Sequence, residues 1–353
     1  MRARHAELAL EIGGVSIGAE ALKDVLSLTW TDNEDSQTDD LTVTIADPAG
    51  KWLETWMDAA VQATASCGVD GKGSVTLAAS IAQANWEGEW ESLKTLDCGQ
   101  FVLDGCAHSG PPSVIRLQGT SLGYDTGLRQ EKRSKAWEAY ALSGIAREMA
   151  ANAGLELTYL SGYDPYYERQ EQSEESDIVF LQALAEAAGL SVKISDGQLI
   201  LLDQQAYEAQ APVATIDRTD MTRWNFSTEE CDTQYGACTV SFWDPAQGQL
   251  LTATYTDPDR QEGDVRTLTV RAAVASVGEA LSLAQRLLRL KNQYEYAASL
   301  TLAGDVRLLA GLTVTLTGCG AWNGKYLITR AVHAIAGGGY TTRLELRRCL
   351  EGY

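Results

Sequence analysis

Hydrophobic and polar residues alternate over most of residues 6–122, and this alternation is typical of half-buried β-strands. The alternating runs are Leu8–Ile12, Leu26–Trp30, Leu41–Ile45, Val75–Ile81, Gly99–Cys106 and Val114–Gln118. Turn-forming residues separate several of them, among them Gly13-Gly14 and Ser109–Pro112. Many short strands at this spacing predict a β-barrel or a β-sandwich.

The hydrophobic period becomes helical from about residue 136. The apolar face of the first predicted helix consists of Ala141, Leu142, Ile145 and Met149. Gly154 ends this helix, and a second helix is predicted from near Ser176 to Gly189. Strand-like segments follow these helices at 155–159, 190–194 and 198–202. The middle of the chain is therefore predicted to be a small α+β domain.

Residues 203–212 are polar and rich in Gln and Ala, so we interpret them as a connector into a second β-rich region. That region contains one helix, at about 276–292, which opens with the capping box Ser276–Glu279. Its apolar stripe predicts that it lies on the outside of a barrel. Alternating runs follow at Leu300–Leu302, Leu312–Leu316, Tyr326–Ile328 and Thr342–Leu346.

The chain also resembles itself. Ser36–Ala49 matches Thr233–Ala246 without a gap, and Gly99–His108 matches Gly324–His333 in the same order. The matches pair Asp47, Pro48 and His108 with Asp244, Pro245 and His333. Two matches in one order favour a duplicated β unit on either side of the α+β middle.

Composition limits the possible functions. A chain of 353 residues is expected to form two or three domains. It contains no long apolar run, and its first residues lack the apolar core that a signal peptide would have. We therefore expect the chain to be made in the cytosol and not to insert into a membrane. The net charge of −20 opposes a grip on phosphate backbones, so we expect no specific nucleic-acid binding. The seven cysteines include no Cys-x-x-Cys pair, and we interpret most of them as reduced core residues.

The sequence contains only three histidines and none of the common nucleophile, phosphate-loop, zinc-protease or dinucleotide motifs. We predict no catalytic residue, no metal site and no cofactor, and we interpret His108 and His333 as structural. Two acidic clusters could supply a carboxylate pair for glycoside cleavage: Glu87, Glu89 and Glu91, and Glu171, Glu174, Glu175 and Asp177. Solvated loop charges explain both clusters at least as well.

A Trp-rich excursion at about 50–95 interrupts the first β region and contains Trp52, Trp56, Trp86 and Trp90. Exposed tryptophans can form a sugar platform, so one hypothesis is an acidic, β-rich carbohydrate-binding or glycoside-cleaving protein. Bulky aromatics also seal loops against a core or an assembly interface, and we favour the interface.

The middle domain carries the motif Gln172-x-x-Glu175-Ser176-Asp177, in which Ser176 and Asp177 are placed to cap the helix that follows. With Phe180-Leu181 and Gly189-Leu190, this run resembles the central motif of the phage late control D family. Further similar segments are Asp47-Pro48, Asn85-Trp86, Asp97–Phe101, Gly324–His333 and Tyr340–Leu346. The members of this family are baseplate hub proteins of contractile phage tails, and they are similar to the N-terminal region of type VI secretion VgrG spikes.

The resemblance implies a mainly β fold: two duplicated tube-type antiparallel β-barrel domains at 1–125 and 206–353, flanking an α+β domain at 126–205. It implies a non-enzymatic homotrimer whose six barrels form a pseudo-sixfold ring with an acidic lumen and the middle domain outside. Duplication would let a threefold spike join a sixfold tail tube.

Further expected partners are a separate spike protein, since the chain ends at Tyr353 without a spike extension, and a tail tube or tube-initiator protein. Tape measure and baseplate wedge proteins are further expected partners. The expected place of assembly is the bacterial cytoplasm, followed by incorporation into the tail baseplate of a phage, a bacteriocin or a related injection device.

Overall fold

The computed structural model describes residues 5–34, 38–50, 75–84, 93–121, 127–195, 197–228, 233–244, 248–258, 266–274 and 276–350. The strands of the first β region are β1 (His5–Ile12), β2 (Val15–Ser16), β3 (Val25–Asn33), β4 (Asp40–Ala46), β5 (Thr76–Ala84), β6 (Leu93–Ser109) and β7 (Val114–Thr120). Those of the middle are β8 (Lys132–Ala141), β9 (Glu156–Leu160), β10 (Tyr166–Ser176), β11 (Ser191–Ser195) and β12 (Gln198–Leu202).

The strands of the second β region are β13 (Ala214–Asp217), β14 (Met221–Thr228), β15 (Ala237–Asp244), β16 (Gln249–Thr256), β17 (Thr267–Arg271), β18 (Tyr296–Ala303), β19 (Thr313–Thr317), β20 (Gly324–Ala336) and β21 (Gly339–Arg348). The helices are α1 (Ala19–Leu22), α2 (Gly127–Gln130), α3 (Leu142–Asn152), α4 (Asp177–Ala187), α5 (Gln204–Glu208) and α6 (Val277–Asn292). The chain is mainly β, with its longer helices in the middle region and in α6, as predicted.

The duplication appears in the strand order of a 13-stranded sheet. In the first β region the order is β3-β4-β7-β6-β5-β1, and in the second it is β14-β18-β21-β20-β19-β13. Neighbouring strands are antiparallel throughout both series, except that β13 runs parallel to β19 whereas β1 is antiparallel to β5. One β unit therefore occurs twice, and the predicted fold class is confirmed.

Irregularities in the two series fall at the same places. The β3–β4 ladder shifts register between Val25 and Ser27, and the β14–β18 ladder shifts between Met221 and Arg223. The β6–β7 ladder shifts beside Leu103, and the β20–β21 ladder shifts beside Ile328. Because a β-bulge changes which side chains face the core, shared bulges align the two units residue by residue.

This alignment agrees with the second sequence match, since β6 and β20 contain Gly99–His108 and Gly324–His333 and carry their bulges at matching positions. The first match does not hold in the structure. Its segment Asp40–Ala46 is β4, whose counterpart in strand order is β18, whereas Ala237–Asp244 is β15 in a separate three-stranded sheet. The segment from β15 to α6 is inserted between β14 and β18, and alternation alone cannot distinguish an inserted strand from a duplicated one.

Helix α6 begins as predicted, since the Ser276 hydroxyl accepts a hydrogen bond from the Glu279 amide at 3.1 Å. Its apolar stripe packs on the inserted sheet formed by β15, β16 and β17, in one core with Cys238, Val240 and Leu251. The helix therefore covers an inserted layer, and its stripe does not pack in the core of the barrel strands.

The middle region differs from the prediction at its start. Residues 132–141 form β8, which pairs with β10, and α3 begins only at Leu142. Strand β8 is a largely exposed ribbon in which Trp137 is buried, so its alternation is weak in the sequence. Helices α3 and α4 share one core with the sheet formed by β9, β11 and β12, and this part of the α+β prediction is correct.

The predicted connector at 203–212 contains α5, and its last residue is a buried carboxylate. The Oε2 atom of Glu208 accepts from Arg289 Nη2 at 2.5 Å, and its Oε1 atom accepts from Arg347 Nη1 at 2.5 Å. The backbone amide of Leu350 donates to the same carboxylate at 3.0 Å. The segment is thus fastened to the second β region by charges that lie far apart in the sequence.

The two β units share one sheet, and the core of the first includes residues of the second. Residues Ser27–Asn33 of β3 pair with Arg330–Ala336 of β20, so the two strand orders join into one. Val306 and Tyr340, from the second region, lie in the hydrophobic core of the first. The Val306 amide also donates to Gln83 Oε1 at 3.1 Å.

Candidate assembly interface

The junction between β3 and β20 shows how one unit contacts the next. The Glu34 amide donates to the Thr329 carbonyl at 2.9 Å, and the antiparallel ladder continues from there. At the junction Leu28 is 0% exposed and Trp30 is 5% exposed. The Trp30 ring stacks on the His333 ring at a centroid distance of 5.2 Å, so side chains of both strands seal the joint.

The same two surfaces occur a second time, without a partner among the described strands. Strand β14, the counterpart of β3, is the last strand in the sheet order and pairs only with β18. Strand β6, the counterpart of β20, pairs with β5 as far as the hydrogen bond from Leu103 to Val75, and beyond that only with β7. We call these surfaces the β14 edge (residues 221–228) and the β6 edge (residues 104–109).

Corresponding residues are buried at the junction and exposed at the edges. Trp224 occupies the position of Leu28 and is 46% exposed. His108 occupies the position of His333 and is exposed, whereas His333 is 0% exposed. Unpaired strand edges with exposed aromatics are surfaces on which another strand adds.

The face of the sheet opposite the cores is polar across eight strands, from β14 to β6. Its outward side chains in β4 and β18 are Thr42, Thr44, Ser299 and Thr301, which alternate with buried aliphatic residues. Three exposed arginines also lie on this face: Arg116, Arg223 and Arg343. Arg343 lies 3.5 Å from Glu345, and Arg330 lies 3.8 Å from the same carboxylate.

The two histidines paired by the sequence match occupy corresponding strand positions with opposite environments. His108 Nε2 lies 2.8 Å from the Ser113 hydroxyl at the surface. His333 lies between Tyr340 and Leu308: its Nδ1 is 2.7 Å from the Tyr340 hydroxyl, and its Nε2 is 2.9 Å from the Leu308 carbonyl. Since the carbonyl can only accept, Nε2 carries the proton.

Burial lowers the pKa of His333 below its ordinary value, although the carbonyl of Leu308 and the carboxylates of Asp32 and Asp305 act in the opposite direction. Burial at this joint therefore favours the neutral imidazole.

The motif in the middle region is a buried polar cluster. Gln172 Nε2 donates to the Asp177 carboxylate at 2.7 Å and to the Glu175 carbonyl at 3.1 Å, and its Oε1 accepts from Trp137 Nε1 at 3.3 Å. Ser176 is the N-cap of α4, but its side chain makes no capping bond, so that part of the prediction is wrong. Asp177 lies in the first turn of α4, buried and 3.6 Å from Arg133.

The remaining predicted residues are placed apart. Asp47 is buried after β4, and its amide donates to the Ser113 carbonyl at 3.0 Å, while Pro48 is exposed. Asp244 ends β15 in the inserted sheet, and Pro245 lies outside the described residues. The four predicted interface tryptophans and the cluster Glu87, Glu89 and Glu91 also lie outside them.

Of the second acidic cluster, Glu171 is 2.6 Å from Arg169 at the surface. Within the described ranges, no three His, Cys, Asp or Glu side chains are grouped as a metal site would require. Among the same residues, no helix is both long and apolar enough to span a bilayer. The sequence analysis did not predict the β14 and β6 edges. The match of Gly99–His108 to Gly324–His333 could have indicated them, because it aligns β6 with β20.

The structure thus defines a protein of two joined, duplicated β-barrel units with two further edges that match the joint. Residues 126–339 match the phage tail baseplate hub (GPD) family. The chain belongs to this family.

A relative from Escherichia phage P2, described as a probable baseplate hub protein, is 27% identical over 211 residues, which cover 58% of this chain and 48% of that protein. The chain thus matches about half the length of this relative.

Solved structures share the fold. A tail protein from Neisseria meningitidis MC58 has a TM-score of 0.65 at 14% identity and covers 98% of this chain and 97% of its own. A component of the E. coli type VI secretion system has a TM-score of 0.53 at 15% identity, and the match covers 98% of this chain and 78% of that one. It is described as structurally similar to T4 tail proteins. The chain accordingly belongs to a family of phage tail baseplate hub proteins and shares the fold of solved tail proteins.

Replacing Asp177 with Ala should lower the free energy of unfolding by about 1–3 kcal/mol, because the buried amide of Gln172 loses its acceptor. Urea unfolding at pH 7 measures the effect. Glu186→Ala, an exposed acidic residue of the same helix, is the control and should change stability by less than about 0.5 kcal/mol. Equal effects of the two substitutions would contradict the assignment.

Stability should fall as the pH is lowered from 7.5 to 5.5, in part because of His333. Below about pH 6.5 the unfolded chain binds a proton at this residue that the folded chain does not bind, and this favours unfolding. His333→Gln should therefore show a smaller pH dependence of urea unfolding, though lower stability at pH 7.5. His108→Gln is the surface control. A pH dependence of His333→Gln identical to that of the unmodified chain would disprove the role.

Proposed function

We propose that three copies of the chain close a ring in which the β6 edge of one subunit pairs with the β14 edge of the next. The supporting observation is the junction of β3 with β20, since each edge corresponds in strand order and in bulge position to one side of that junction. An intersubunit joint of this form would bury Trp224 and His108 as the internal joint buries Leu28 and His333.

The internal junction also gives the register of the proposed one. Trp30 faces His333 and Thr29 faces Ala334 across the internal ladder. The corresponding pairs between subunits are Phe226 with His108 and Asn225 with Ser109. The ladder would be antiparallel and hydrogen-bonded along its length, as inside the chain.

We propose three subunits per ring because of the role of the family and the duplication of the β unit. With two barrel units per chain, three chains supply six similar units, and all six joints are alike. A threefold spike can then bind one end of the ring and a sixfold tail tube the other. Closing eight strands per chain in this way gives a barrel of twenty-four strands.

We place the polar face of the sheet toward the bore. The middle region contacts the other side: Lys193 lies 2.7 Å from Asp32, whose side chain points in the direction of the buried Leu28 and Trp30. The bore would then carry Ser, Thr and Arg side chains together with the carboxylates of Asp40 and Glu345. This differs from the acidic lining that the family resemblance implied.

The finer assignments rest on the same proposal. They include the domain limits 1–125, 126–205 and 206–353, a non-enzymatic role, assembly in the bacterial cytoplasm, and contacts with spike, tube or tube-initiator, tape measure and wedge proteins. Membership of the baseplate hub family supports the non-enzymatic role and the assembly with spike and tail components.

A cysteine pair tests the ring. In a Cys106→Ser background, Ser109→Cys combined with Asn225→Cys should form an intersubunit disulfide under mild oxidation. The matching internal pair, Thr29 and Ala334, lies between hydrogen-bonded pairs, where Cα atoms are about 4.5 Å apart and a disulfide can form. On a non-reducing gel the cross-linked ladder should end at the trimer.

The control pair is Ser109→Cys with Ser227→Cys, which places the second cysteine on the same face but two residues out of register. Variants that carry only one of the introduced cysteines show how much cross-linking the remaining native cysteines cause. A ladder that continues past three subunits, or equal cross-linking by the control pair, would refute the proposed ring.

Co-expression with the spike and tube proteins of the same particle tests the joining role. Cryo-electron microscopy of the purified complex should show the ring between a threefold density and a sixfold density, because the duplicated units match both symmetries. A chain that stays outside the complex would exclude this role.

A further inference from the structure

The connection between β18 and β19 (residues 304–312) packs into the first β unit at the internal junction. Val306 belongs to the hydrophobic core of the first unit, which also contains Trp30 of β3, and Leu309 packs against that core. The backbone is held in place as well, since the Val306 amide donates to Gln83 Oε1 at 3.1 Å. The internal joint is therefore sealed by this connection in addition to the strand pairing.

The corresponding connection of the first unit lies between β4 and β5 (residues 47–75). Both connections leave the sheet through the same hydrogen bond. The Gly304 amide donates to the Tyr340 carbonyl at 2.9 Å, and the Asp47 amide donates to the Ser113 carbonyl at 3.0 Å. The shared bulges align these two bonds residue by residue. At a joint between subunits, the β4–β5 connection of the subunit that supplies the β6 edge would therefore reach the β14 edge of its neighbour.

The receiving surface at the β14 edge is an open group of aromatic rings. Phe226 stacks on Trp322 at a centroid distance of 5.4 Å, and Tyr296 meets Trp322 edge-on at 5.7 Å. Trp224 lies two residues before Phe226, hence on the same side of β14, and it is 46% exposed. We call these four residues the aromatic cradle.

The aromatic cradle lies on the core side of the sheet. Trp224 pairs with the buried Leu300, and Phe226 pairs with the buried Ala298, and side chains paired across a ladder point to the same face. At the internal junction this is the side on which Val306 packs. The aromatic cradle therefore has the orientation needed to receive a connection from a neighbouring unit.

The first unit has a smaller side chain at the position that fills the internal joint. Tyr340 is buried in the core of the first unit, and its hydroxyl lies 2.7 Å from His333. Ser113 occupies the corresponding position, and its hydroxyl lies 2.8 Å from His108. Because serine lacks the aromatic ring, a joint between subunits would have room for a bulky side chain from another part of the chain.

The β4–β5 connection contains bulky apolar residues close to its start. They are Trp52, Leu53, Trp56 and Met57, and they lie outside the described residues. Their position in the sequence follows directly on Asp47–Gly50, the described start of the connection.

We infer that residues 52–57 of one subunit pack against the aromatic cradle of its neighbour. The inference rests on the proposed function for the ring itself, and it adds the segment that seals each joint between subunits. Tryptophans that pack on aromatic rings at the centre of an interface often carry much of its binding energy. The first tryptophans of the Trp-rich excursion are then part of an assembly interface and not a sugar platform.

Photo-cross-linking tests this contact directly. With p-benzoylphenylalanine in place of Trp224, irradiation of the full chain, alone and in the complex with spike and tube proteins, should join this position to the peptide that contains residues 52–57. Mass spectrometry identifies the joined peptide. Assembly from a mixture of isotope-labelled and unlabelled chains distinguishes a contact between subunits from one within a chain.

The matched control carries p-benzoylphenylalanine in place of Trp243. This tryptophan is also exposed on a strand of the second β region, but it lies in the inserted sheet. It should not join to the peptide that contains residues 52–57.

Substitution of the tryptophans measures the strength of the contact. Trp52→Ala/Trp56→Ala should raise the dissociation constant of the ring by a factor of about ten or more, as measured by analytical ultracentrifugation, because both anchors are lost. Trp86→Ala/Trp90→Ala removes two tryptophans from the β5–β6 connection and should change the constant by less than about threefold. Circular dichroism of each variant separates a folding defect from a loss of assembly.

The outcomes separate this inference from the ring. A cross-link from position 224 to residues 52–57 of another chain, without a cysteine ladder that ends at the trimer, would keep the contact and remove the ring. A ladder that ends at the trimer, with a cross-link to another segment or within one chain, would keep the ring and overturn this inference. No cross-link from position 224, or an equal cross-link from position 243 to residues 52–57, would also overturn it.

Discussion

The antiparallel pairing of β3 with β20 is the constraint on which the rest of the molecule depends. It joins two β units that are far apart in the sequence into one continuous sheet. Because hydrogen-bonded strands fix both distance and register, the two units are held in one relative orientation. The hydrophobic core of the first unit then accepts Val306 and Tyr340 of the second, so the joint is packed as well as hydrogen-bonded.

Buried polar groups make this joint specific. His333 is held between Tyr340 and a backbone carbonyl and stacks on Trp30, and burial favours its neutral form. The Glu208 carboxylate is held by Arg289 and Arg347, and Arg347 also lies 3.8 Å from Glu34, which follows β3. Buried groups of this kind favour one arrangement of the elements, because any other arrangement would leave them without partners.

Duplication explains why the two open strand edges of this chain are informative. A single unit with two open edges would leave the mode of assembly undefined, but here one of the two possible joints is already formed within the chain. The formed joint supplies the burial, the register and the strand direction that the open edges lack. The inserted sheet and α6 enlarge the second unit between β14 and β18 and leave the order of its barrel strands unchanged.

The sequence by itself determined the mainly β class, the helical middle, the helix of the second region and the family, because these depend on local period and on motifs such as Gln172–Asp177. It also aligned β6 with β20 correctly. The tertiary structure decided that β15 is an inserted strand and that residues 132–141 form a strand, since alternation does not say which strand a segment pairs with. It also decided that Glu208 is buried and that His108 and His333, alike in the sequence, have opposite environments. These properties depend on long-range pairing, which brings together residues that no local pattern connects.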